Sequence, residues 1–114
     1  MIRSFLSRSV GSAGAWLVAA FALAAYFLKL ALSWVVYGTN DVTYWMYFSQ
    51  VIEKFGTFKV YSLIWFYNHP PLVSWILKIV RAAAIHTGLS FPFLFRLMPI
   101  TADLASIFLI WRLL

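Results

Sequence analysis

The chain has 114 residues, of which 64% are hydrophobic and only 11% charged, with a mean hydropathy of +0.88. Soluble domains carry roughly 25% charged residues, so this complement is too small to coat a water-facing surface, and lipid is the implied solvent. The absence of cysteine excludes disulfides, thiolate metal sites and a cysteine nucleophile; the net charge of +6 flanks or interrupts apolar runs, which points to headgroups and membrane orientation and not to nucleic acid.

Arg3 and Arg8 form a basic leader ahead of an apolar run over 13–37 that is interrupted by Lys29. The run exceeds the roughly 7–15 residues of a cleaved signal's apolar region, so an uncleaved signal anchor is expected. Its first half is rich in alanine, which lets a neighbouring helix approach closely. Lys29 is expected to snorkel to the interface. Gly38-Thr39-Asn40-Asp41 then reads as a break followed by a helix start, with Asn40 or Asp41 as the cap. Over 41–55, Tyr44, Trp45, Phe48, Val51, Ile52 and Phe55 recur at helical spacing, while Thr43, Gln50, Glu53 and Lys54 fall off that stripe. A charged helix with one apolar stripe is expected to lie along the membrane surface, and Gly56 ends it.

Residues 57–68 are aromatic and β-branched without helical period, which predicts an extended or turn-containing segment. His69-Pro70-Pro71 opens a second apolar run over about 71–86, which carries Lys78 and Arg81 and ends at His86-Thr87-Gly88. Ser90-Phe91-Pro92 precedes a third over 93–114, with Arg96 near its start, Pro99 as an expected kink or a junction between a surface turn and the span, and Asp103 near its middle. The expected fold is therefore an all-α, multi-pass membrane protein. It has about three transmembrane helices in a single membrane domain, plus one amphipathic interfacial helix in a first external loop over 38–70. Arg3 and Arg8, with Lys78, Arg81 and Arg96, share one face if the N-terminus is cytoplasmic; Arg112 falls on the opposite side.

Few side chains offer chemistry. Asp41 stands just beyond the first span, where a carboxylate can act as general base toward an acceptor hydroxyl; position alone favours a helix cap. His69, at the far end of the same loop, can contact a phosphate or ligate a metal, or be an ordinary turn residue. No partners at metal-ligand spacing accompany it. Asp103 is expected within the hydrocarbon, where carboxylates are paired or functional, and Lys78 is its expected structural partner by depth. Arg81 and Arg96 can bind a lipid phosphate or simply orient the chain.

The ordered set of features carries a resemblance: basic leader, span, Gly-Thr-Asn-Asp turn, aromatic helix ending in glycine, Asn68-His69-Pro70-Pro71-Leu72, then Arg96-Leu97-Met98-Pro99 with Asp103 beyond. It resembles the N-terminal module of the GT-C superfamily of polytopic glycosyltransferases, which use polyprenyl-phosphate-linked sugars. The His-Pro-Pro-Leu element is similar to that of protein O-mannosyltransferases. The resemblance implies Asp41 as the catalytic acidic residue, His69 and Arg96 as substrate-binding residues and a polyprenyl-phosphate sugar donor as partner. Asp41-Val42 replaces the Asp-Glu of many relatives, and the sequence supports no divalent metal, so the cofactor stays open. Relatives have many more spans, which implies that this chain is an N-terminal piece, inactive alone. The alternative is a small non-enzymatic membrane protein that stabilises or assembles other membrane helices.

Overall fold

A computed structural model describes residues 12–113; Arg3, Arg8 and the signal-anchor reading of the leader lie outside them. All regular structure among the described residues is helical: α1 (Ser12–Val35), α2 (Asn40–Phe55), α3 (Val60–Leu63), α4 (Pro71–Thr87) and α5 (Phe91–Leu113). The boundaries follow local chemistry. Gly56 and Gly88 adopt positive φ and donate their amides back to Ile52 and Ala84, closing α2 and α4. Pro71 occupies the first turn of α4, where a missing amide hydrogen leaves no bond unmade. The Ser90 hydroxyl accepts the Phe93 amide at the start of α5. Three sequence expectations change in detail. Thr39 caps α2, without a side-chain bond, so Asn40 and Asp41 lie inside the first turn. The aperiodic stretch over 57–68 includes the single helical turn α3. Pro99 sits within α5, which continues through it.

Among the described residues two helices, α1 over Ala13–Val35 and α5 over Phe91–Leu113, are long and apolar enough to cross a membrane. At about 1.5 Å per residue both exceed a hydrocarbon core of about 30 Å. Their large apolar side chains point outward, as Trp16 (76% exposed), Phe21 (75%) and Leu109 (62%) show. α4, with 17 residues, reaches only about 25 Å and carries two cations, so it does not qualify beside them. Where about three spanning helices were expected, the described residues include two that meet the physical requirement.

The described residues form two compact units. One comprises Ser33–Leu97 and has a core of Phe48, Ile52, Val60, Ile64, Tyr67, Leu77, Val80 and Phe91. The apolar stripe of α2 is therefore used for protein packing: Phe48 and Ile52 are buried against α3 and α4, while Tyr44 and Phe55 at the stripe's edge remain about half exposed. Helices α2 and α4 run side by side in the same direction. Trp45, near the start of α2, packs on His69 just before α4, and Glu53, near the end of α2, bridges to Arg81 on the later part of α4 at 2.8 Å.

Within this core the Tyr67 and Ser74 hydroxyls share a buried hydrogen bond of 2.7 Å. Burial pushes the Tyr67 hydroxyl above the usual tyrosine range, against the opposing pull of the Ser74 bond, with Tyr61 adding to the rise. Because the folded state favours the protonated phenol, its contribution is complete below the unfolded value of about 10 and is lost as pH rises through the folded value. Tyr67→Phe orphans the Ser74 hydroxyl and is expected to cost about 1–3 kcal/mol. It should also remove part of the alkaline destabilisation, both effects being read by denaturant titration at neutral pH and above pH ~10.

The other unit comprises the described parts of Met1–Leu32 and Met98–Leu114. Its polar feature is a Lys29–Asp103 ion pair, Nζ to Oδ2 at 2.7 Å. Asp103 therefore takes Lys29 and not the expected Lys78, whose ammonium instead lies 5.3 Å from the Trp75 ring centre, one helical turn back on α4. The expectation matched depths across a second span; a lysine already facing Asp103 on α1 supplies the countercharge directly.

Candidate functional site

The start of α2 and the approach to α4 form the walls of a cleft of about 560 Å³ in the Ser33–Leu97 unit. Asp41 and His69, the two loop residues singled out from the sequence, both line it. Asp41 lines the cleft from the first turn of α2, which starts at Asn40. In the first turn of the helix its exposed carboxylate also meets the positive end of the helix dipole. Among the described residues it makes no capping bond, so the simple cap reading of Asp41 does not describe what its side chain does.

His69 is fixed from both sides. Its backbone carbonyl accepts the Tyr61 hydroxyl at 2.6 Å, and Pro70 and Pro71 restrict the chain immediately after it. Its ring packs 4.5 Å from the Trp45 centroid and edge-on to Tyr67 at 5.2 Å. The imidazole is half-buried and lines the cleft.

The remaining walls are aromatic. Tyr44 meets Phe66 edge-on at 6.2 Å, and Phe48 joins the cleft to the buried core. Trp65 is 92% exposed, an unusually open position for the largest apolar side chain. Trp65 and Phe66 were missed in the sequence because their segment has no period. The available signal was aromatic density, with Tyr61, Trp65, Phe66 and Tyr67 crowded just ahead of His69. No lysine or arginine lines the cleft.

Arg96 is elsewhere. Its guanidinium donates to the Val36 carbonyl at 2.6 Å, just beyond the end of α1, where a cation suits the exposed carbonyls. Gly38 makes room for it: its φ of +108° suits glycine, and a Cβ there would overlap the guanidinium. Arg96 is thus bonded to the chain's own backbone and is not among the residues lining the cleft. Among the described residues no three acidic or histidine side chains gather as a metal-binding group. Asp41 and His69 are the acidic and imidazole groups in the cleft.

The arrangement can hold a ligand against aromatic faces and accept a proton or hydrogen bond at one carboxylate, with an imidazole beside it. No protein-family model matches the chain, and no curated protein or solved structure matches it either.

Proposed function

We propose that this chain is a membrane-embedded part of a GT-C-like glycosyltransferase that takes its sugar from a polyprenyl-phosphate donor. Asp41 serves as the base toward the acceptor, and His69 orients substrate in the same cleft. The observation that carries this reading is the meeting of Asp41 and His69, remote in sequence, within one aromatic-lined cleft. Supporting it is the exposed aromatic rim of Tyr44, Trp65 and Phe66, a composition suited to the boundary between headgroups and water.

The membrane arrangement follows from the helices. α1 and α5 cross the bilayer, and the segment between them lies on the outer face. Since α2 and α4 run side by side, a flat α2 requires a flat α4, and the expected third span becomes a second interfacial helix. Two spans return the end of α5 to the cytoplasmic side, so Arg112 joins Arg3 and Arg8 there. Lys78, Arg81 and Arg96 then move outside, against the charge asymmetry that oriented three spans. Arg81 and Arg96 are engaged by Glu53 and the Val36 carbonyl.

The test is binding. The chain in lipid nanodiscs is mixed with a polyprenyl-phosphate sugar bearing a photoreactive group on the sugar, irradiated and digested. Label is expected in peptides spanning 41–69 and should fall severalfold in Trp65→Ala. Label confined to α1 and α5, or label unaffected by that substitution, would remove the reading.

A further inference from the structure

The whole chain has three carboxylate side chains against nine lysines and arginines. Glu53 is paired with Arg81 at 2.8 Å and Asp103 with Lys29 at 2.7 Å. Asp41 forms no ion pair among the described residues, although cations outnumber carboxylates threefold, and it lines the cleft. The walls around it are aromatic rings and the His69 imidazole, with no lysine or arginine among them.

These features discriminate between ligands. A phosphate brought to this carboxylate meets like charge with no neighbouring lysine or arginine to offset it. A purely apolar group strips water from the carboxylate and returns nothing. A positively charged nitrogen satisfies both components, since aromatic faces attract cations through the ring quadrupole and the carboxylate supplies the countercharge. We propose that the Asp41 cleft binds an ammonium-bearing group, held between the Asp41 carboxylate and the rings of Tyr44, Trp45 and Trp65. The inference rests on the cleft being a substrate site and names the chemistry of one occupant: an acceptor or sugar that carries an amine or a quaternary ammonium. The donor phosphate lies outside this pocket.

The probes are choline and its neutral isostere 3,3-dimethylbutan-1-ol, which share shape and differ in charge. The full chain is placed in phosphatidylglycerol nanodiscs, which avoid the ammonium of choline lipids, and binding is followed by saturation-transfer NMR and calorimetry. Choline is expected to bind at least about tenfold more tightly than the isostere. Asp41→Asn should abolish that preference, Asp41→Glu should retain it, and Trp65→Leu should weaken choline severalfold. Asp41 and Trp65 are exposed, so folding is expected to survive, as circular dichroism will show. Equal binding of the two probes, no choline binding, or a preference that persists in Asp41→Asn would overturn the proposal. If polyprenyl-phosphate cross-linking over 41–69 persists while choline is not preferred, only this inference fails. If both are lost, the substrate-site reading fails with it.

Discussion

Leu77→Ala is expected to destabilise the Ser33–Leu97 unit by about 2–5 kcal/mol, the range for truncating a fully buried leucine whose surroundings collapse only in part. Leu77 is completely buried in the core that α4 shares with Phe48 and Ile52 of α2. Two residues further along the same helix lies the control: Ile79 is 66% exposed, so Ile79→Ala should change stability by no more than about 0.5 kcal/mol. The consequence extends to the cleft. Phe48 belongs both to this core and to the cleft wall, so loosening α2 on α4 should also weaken ligand binding there. Denaturant or detergent unfolding checks the first part. A Leu77→Ala variant as stable as Ile79→Ala would show that α2 and α4 do not share this core.

The second large effect concerns Asp103. Its carboxylate and the Lys29 ammonium are each about half exposed, at 61% and 47%. In water such a pair contributes only about 0.2–1 kcal/mol. Within hydrocarbon the same substitution behaves differently, because an unpaired charge at the centre of a span costs about 2.5–3.5 kcal/mol. Asp103→Leu is therefore expected to cost about that larger amount by leaving Lys29 alone in lipid. The double variant Lys29→Met/Asp103→Leu should recover most of the loss, since neither charge remains. A cycle of the two single variants and the double, measured in bilayers or bicelles, gives the coupling. Additive effects, each under about 1 kcal/mol, would mean that this pair sits in water and that α1 and α5 do not cross the membrane.

The punctuation of the chain was largely legible. Gly56, Gly88 and the Pro70-Pro71 pair have backbone requirements that act locally, so they mark helix ends whatever the tertiary structure does. Asp41 and His69 were also legible as candidates, because polar side chains are scarce in so apolar a chain. Three features were not. The α2 stripe is equally suited to a membrane surface and to a protein neighbour, and only the packing of Phe48 and Ile52 against α4 reveals the latter. The partner of Asp103 was misassigned because depth was counted along an assumed second span, whereas Lys29 lies opposite it on α1. Trp65 and Phe66 belong to a segment with no period, and the turns that bring them to Asp41 depend on tertiary contacts such as the Tyr61 bond to His69.

The proposed arrangement has α1 and α5 crossing the bilayer and the cleft-bearing segment between them facing the outside. Because the chain has no cysteine, single cysteines report location cleanly. Asp41→Cys, His69→Cys, His86→Cys and Arg112→Cys should be treated in intact cells with a membrane-impermeant maleimide, then again after permeabilisation. The arrangement predicts labelling of positions 41, 69 and 86 from outside and of position 112 only after permeabilisation. Position 86 protected in intact cells while 41 is labelled would restore α4 as a span and contradict it.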